Sequence, residues 1–149
     1  MSLATGIAAF GALLKVGDGL SPQAFFTIAG VTNISGPGAA VDEAETTSHS
    51  TASPHRTFIP TLIDDGEISF ACNFDPTHLS HSLTNTYGLA YLFQNRVRRA
   101  FQLWANLADG TQQKRQFDGF VKTLGEEYPL DGIQTRDVTI RIVTAPAVV

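Results

Sequence analysis

Five Asp-Gly dipeptides punctuate the chain, at Asp18-Gly19, Asp65-Gly66, Asp109-Gly110, Asp118-Gly119 and Asp131-Gly132. Asp-Gly supplies the positive φ angles that tight hairpins demand, and four of the five sit between or at the start of stretches that alternate apolar and polar residues. Such a chain folds into hairpins, hence into antiparallel sheet. The cleanest alternation runs from Glu67 to Phe74, with Ile68, Phe70, Cys72 and Phe74 on one face and Glu67, Ser69, Ala71 and Asn73 on the other. Phe101, Leu103, Ala105 and Leu107 mark a second strand, which Asp109-Gly110 turns back through Gln112 to Leu124 as a third. Val138, Ile140 and Ile142 mark another, and Phe26 to Ile34 and Val41 to Ser48 add earlier ones around Gly36-Pro37-Gly38. Phe117 and Phe120 share a face only if Asp118-Gly119 forms a bulge, so a bend is expected there.

One segment departs from this period. From Pro76 to Val97, Leu79, Leu83, Tyr87 and Ala90 recur at near-helical spacing, Asp75 and Pro76 suit N-cap and N1, and Arg96, Arg98 and Arg99 follow where cations favour the helix dipole. The spacing predicts a helix over roughly 76–97. A long loop is expected over roughly 48–65, where a Ser/Thr-rich run from Thr46 to Ser53 leads into Phe58, Ile59, Leu62 and Ile63 with Pro54 and Pro60 about them. The fold class is therefore mainly β, a sandwich or small barrel of about six to eight antiparallel strands with one flanking helix. The 149 residues fit a single domain, which at this size buries about 68–70% of its unfolded surface. An N-terminal arm over about 1–10 and a short C-terminal tail over about 145–149 flank it.

The residues that carry chemistry point away from catalysis. His49, His55, His78, His81, Asp64 and Asp65 are the available metal ligands, and only His78 and His81 stand at a spacing that shares a helical turn, without a third ligand at a diagnostic distance. Cys72 lies among the apolar residues of its strand and reads as a small buried hydrophobe. No G-x-S-x-G elbow, dinucleotide fingerprint or P-loop occurs. Asp64-Asp65 and Glu126-Glu127 flank turns, where sequence neighbours point apart and stay solvated. No cofactor is implied, and the chain reads as a non-enzyme. A net charge of −4 argues against a phosphate-binding face, although Arg96, Arg98, Arg99, Lys114 and Arg115 form a local basic cluster that can equally bridge to acidic neighbours. The N-terminus has no basic region before its apolar residues, which are too few to span a bilayer, so synthesis in the cytoplasm and no membrane partner are expected.

Four segments together resemble the major tail tube proteins of bacteriophages with long non-contractile tails: TGIAAFGALLKVGDG, IAGVTNISGPG, HRTFIPTLIDDGEISFACNFDPTH and LADGTQQKRQFDGFVKTLGEEYPLDGIQTRDVTIRIV. Their order and spacing cover nearly the whole chain. The resemblance implies a virion tail protein made in the bacterial host, assembled as hexameric rings stacked into a hollow tube for genome passage. Its implied partners are copies of itself, a tape measure protein, a tail terminator and tail-tip or baseplate proteins, with phage DNA passing without specific binding. The apolar run then becomes a contact: Arg56, Phe58, Ile59, Leu62, Ile63, Asp64 and Asp65 are candidates for inter-ring or subunit surfaces. Glu67, Ser69 and Asn73, or Gln102 and Asn106, are candidates for the lumen wall. The competing reading is a monomeric β-barrel module that binds a small ligand or nucleic acid, and a separate alternative to the contact folds the apolar run back on its own barrel.

Overall fold

The stretch QQKRQFDGFVKTLGEE forms one strand, Gln112–Glu127, of 16 residues, which stands at the middle of the sheet. The computed structural model describes residues 6–50 and 54–149. The parts of the expected N-terminal arm at 1–5 and of the Ser/Thr-rich run at 51–53 lie outside them. In chain order the strands are β1 (Leu13–Gly17), β2 (Phe25–Thr27), β3 (Val31–Ser35), β4 (Ala40–Glu45), β5 (Phe58–Asp64) and β6 (Glu67–Asn73). There follow one helix, α1 (Leu89–Asn95), then β7 (Arg99–Asn106), β8 (Gln112–Glu127), β9 (Thr135–Ile142) and β10 (Ala147–Val148).

β8 joins the two halves of one eight-stranded sheet. Its first half pairs with β7 from Asn106↔Gln112 to Arg99↔Gly119, and its second half pairs with β9 from Gly119↔Ile142 to Glu127↔Thr135. All ladders are antiparallel, and the order is β2-β1-β7-β8-β9-β6-β3, with β10 added to the first half of β8. Side chains from both halves meet in one core, Leu14, Val16, Phe101 and Phe117 from the first and Ile68, Phe70, Val138 and Ile140 from the second. The two halves are thus the layers of a β-sandwich. Leu89 and Leu92 of α1 join the same core.

Gly119 belongs to both ladders, and a Cβ there would stand 2.7 Å from the Arg141 carbonyl oxygen and 2.9 Å from Ile140 Cγ2. The bulge expected at Asp118-Gly119 is displaced: the register shifts between Val121 and Thr123 instead. Asp118 is held in line because its N–H donates to Thr144 Oγ1 and its carbonyl accepts from Val143. Alternation therefore continues through the dipeptide, burying Phe117 and exposing Phe120 on the opposite face.

The helix is shorter than 76–97. A single 3-10 turn at Leu79–His81 is followed by irregular chain before α1 begins. Ser82 Oγ accepts from the N–H groups of Thr84 and Asn85, and Asn85 Nδ2 donates to the Leu79 carbonyl. These side-chain bonds offer the backbone an alternative to the helical ladder. Gly88, the N-cap, also approaches so closely that a Cβ would lie 2.2 Å from the Ser82 carbonyl oxygen. Among the described residues the strand count rises to ten. The additions include β1, which places Leu14 and Val16 in the core, and β10, formed by Ala147–Val148 of the expected C-terminal tail.

If the close approach at Gly119 is what lets β8 serve both ladders, Gly119→Ala lowers stability by roughly 1–3 kcal/mol through overpacking. Thermal and urea melts read this directly, and an unchanged midpoint would contradict it.

Candidate functional site

β4 and β5 form a ribbon of their own. β3 runs into β4 through Gly36-Pro37-Gly38, and β5 runs into β6 through Asp65-Gly66, so the ribbon prolongs the β3–β6 pair beyond the sheet. Every residue of both strands is exposed. The expected loop over 48–65 is therefore a strand from Phe58 to Asp64. Its β-branched and aromatic residues favour the pleat, and the Thr46–Thr57 backbone and hydroxyl bonds extend the ribbon. Pro60 is accommodated next to a register shift, opposite Glu43.

The arm has two unlike strands. β4 carries Asp42, Glu43 and Glu45, while β5 carries Phe58, Ile59, Leu62 and Ile63, which are 48%, 50%, 75% and 70% exposed. The alternative in which this run folds back on its own barrel does not hold. Four large apolar side chains in water and a two-stranded ribbon without a covering layer are each marginal on a free chain. Arg56 lies 3.9 Å from Glu45, both exposed, an ion pair of little stabilising consequence.

At the root of the arm the chain makes a tight elbow. Gly66 has φ +78°, and a Cβ on it would stand 2.1 Å from the Gly38 carbonyl oxygen. Asp64 closes the elbow: its Oδ1 accepts from the Gly66 N–H at 2.9 Å, and both its oxygens take Arg141 Nη2 at 2.8 Å. Arg141 also stands 3.9 Å from Glu67, which pairs with Lys122. Asp65 follows without a resolved side-chain bond of this kind. Asp64 stays exposed, as the sequence indicates, but its partner Arg141 was missed; the register of Arg141 on β9 opposite Glu67 on β6 was the available signal.

The lumen candidates fall on different halves of the sheet. Glu67, Ser69 and Asn73 lie on the outer face of β9–β6–β3, where Ser69 hydrogen bonds Thr139 and Thr139 pairs with Thr123. Glu67, Arg141 and the exposed Phe120 stand at one end of this face, and small polar side chains make up its middle. Gln102 and Asn106 belong to the outer face of β1–β7–β8 and are already engaged. Gln102 is nearly buried, donating to Gln116 Oε1 and accepting from Trp104 Nε1. Asn106 Nδ2 donates to the carbonyls of Ala8 and Phe10, fastening the N-terminal segment, while Gln112 donates to Gly11.

The titratable groups have structural duties. His81 is buried, with Nδ1 accepting from the Asp75 N–H and Nε2 donating to the Ala29 carbonyl, and burial pushes its pKa down, favouring the neutral ring. His78 caps the 3-10 turn through Ser80. Among the described residues no group of three or more His, Cys, Asp or Glu side chains is placed to hold a metal. Burial pushes the Cys72 thiol up to about 11, far from a thiolate at neutral pH. Glu126 accepts from Tyr128 and from the buried Arg136, and these bonds hold its carboxyl below the usual range. The basic cluster is dispersed: Arg98 pairs with Asp118, Arg99 donates to the Thr86 carbonyl, and Lys114 and Arg115 point to opposite faces of β8. No helix among the described residues is long and apolar enough to cross a membrane.

No family model matches the chain, and no curated protein matches it by sequence. Solved structures do. A chain in the tail of an empty gene transfer agent particle, a tail with C6 symmetry, superposes with TM-score 0.66 at 19% identity over 95% of this chain and 99% of that one. A chain of the anti-feeding prophage baseplate, six-fold symmetrised, gives TM-score 0.69 at 4% identity over 99% and 97%. The SPP1 tail tube gives 0.65 at 7% identity over 95% and 78%. The chain has the fold of these phage tail and tail-like particle components.

The Arg141 guanidinium holds the Asp64 carboxyl below its ordinary range, with help from the Gly66 N–H. A lowered folded-state value means the elbow bond is fully present above the ordinary carboxylate range and lost as pH falls through the lower one. Hydrogen-exchange protection of the β4 and β5 amides should therefore drop on acidification through that window, and at neutral pH in Asp64→Asn. Protection indifferent to both changes would contradict the elbow.

Proposed function

We propose that this chain is a tail tube subunit, a non-enzymatic structural protein of a phage or phage-like tail. Copies join as hexameric rings, and the rings stack into a hollow conduit for the genome. The observation that carries this reading is an arm with every residue exposed, four of them large and apolar, growing from a fold that tail components share. Each of Phe58, Ile59, Leu62 and Ile63 contributes about 1.5–3 kcal/mol when buried against another subunit. Arg56, Asp64 and Asp65 flank the contact. The six-fold symmetry of the gene transfer agent tail supports the ring number.

The outer face of β9–β6–β3 is the better lumen wall. Ser69, Asn73, Thr139 and Asp137 offer phosphates no cation, and Lys122 and Arg141, at one end, are already paired with Glu67 and Asp64. DNA slides past such a surface because few counterions are exchanged for protein cations. Gln102 and Asn106 belong to the opposite layer. Growth of the stack is heterologous and self-continuing, so a length-setting tape measure protein, a terminator and a tail-tip or baseplate initiator are its expected partners. Synthesis takes place in the host cytoplasm and the protein resides in the virion tail.

The reading is tested by negative-stain electron microscopy and sedimentation across a concentration series, with Phe58→Asp beside the natural chain. The natural chain forms rings or uniform hollow tubes, while Phe58→Asp stays a folded 16.0 kDa monomer with an unchanged melting profile. Normal tubes from the variant would contradict the contact. A natural chain that is monomeric throughout would favour the binding module.

A further inference from the structure

On the outer face of β1–β7–β8 two ammonium groups share one indole. Lys15 Nζ lies 3.8 Å and Lys114 Nζ 4.3 Å from the centroid of the Trp104 ring. Trp104 stands directly opposite Lys114 on one side and Leu13 on the other, so aromatic, aliphatic and cationic groups form one row across three strands. The indole is held from beneath, its Nε1 donating to Gln102 Oε1 at 3.1 Å. Neither lysine makes an ion pair among the described residues. A ring face attracts a cation, but two cations at one ring repel each other, and in the free chain only water and salt oppose that repulsion. A carboxylate arriving at the row relieves both.

The arm carries the matching chemistry. Asp42 and Glu43 on β4 also lack an ion pair among the described residues, and the acidic strand lies alongside the apolar one, with Glu43 opposite Pro60 and Glu45 opposite Phe58. An acidic edge beside an apolar edge complements a lysine pair beside Trp104 and Leu13. The arm leaves the β3–β6 end of the sheet path, whereas the row lies on β1–β7–β8, and among the described residues no ion pair joins the two surfaces.

We infer that the β4–β5 arm of one copy docks on the Lys15–Trp104–Lys114 row of a second copy. Asp42 and Glu43 meet the lysines, and the β5 side chains cover Trp104 and Leu13. The inference rests on the tube reading and supplies the acceptor surface for its arm.

A charge exchange tests it. Lys15→Glu with Lys114→Glu, and separately Asp42→Lys with Glu43→Lys, each raise the concentration needed for assembly by roughly tenfold or more, and the four changes in one chain bring it back toward the natural value. Lys15→Gln with Lys114→Gln gives an intermediate threshold that responds less to added salt than the natural one. Thermal melts confirm that each variant is folded. Natural tubes whose threshold the reversals leave unchanged would overturn the pairing alone. So would lysine variants that assemble normally but lose retention of duplex DNA, which would assign the row to nucleic acid. A natural chain that never assembles overturns the tube reading and the pairing together.

Discussion

The backbone ladder on both sides of β8 is the constraint on which the rest of the structure depends. The first half of β8 pairs with β7 and its second half with β9 within one eight-stranded sheet, and Gly119 belongs to both ladders. The carbonyl of Arg141 and the side chain of Ile140 occupy the space a Cβ would need. With β8 fixed, β7, β1 and β2 follow on one side and β9, β6 and β3 on the other. The core closes between them, and the β3–β6 pair is left at the end of the path, free to extend into the arm.

The arm is where the balance of forces changes. Within the sandwich, apolar burial offsets the entropy of ordering the chain, but β4 and β5 bury nothing. What fixes the arm is local: the Gly36 and Gly66 backbone at the elbow, the Asp64–Arg141 pair and the Thr46–Thr57 bonds. This is enough to aim a ribbon and too little to make its apolar residues comfortable in water. On the proposed tube reading that division is useful, because a preformed arm loses less freedom on docking than a disordered one.

Much of the sandwich was legible in the sequence for a simple reason: one-sided burial writes a period of two. β6 and β9 could be read from Ile68–Phe70–Cys72 and Val138–Ile140–Ile142, and β7 with the first half of β8 from the alternation around Asp109-Gly110. β1 was missed because Leu14 and Val16 give only two beats of that period amid glycines, although both are fully buried. The helix was overread because spacing at Leu79 and Leu83 mimics amphipathicity while the Ser82 and Asn85 side chains compete for the backbone. Phe58, Ile59, Leu62 and Ile63 were recognisable as an unusual apolar run, but not as a strand, since no face of β5 is buried and no alternation results. Nor could periodicity separate Ser69 from Gln102: each alternates with core residues, and only the topology places them on different layers. Arg141 and Trp104 act through cross-strand partners far away in sequence, which no local pattern reveals.

A cryo-electron microscopy reconstruction of the assembled particle fixes both the symmetry and the orientation of the layers. The expected result is six subunits per ring, Ser69 and Thr139 facing the channel, and the β4–β5 arm buried against another copy. A channel lined by Lys15, Trp104 and Lys114, or an arm left in solvent throughout the assembly, would contradict it.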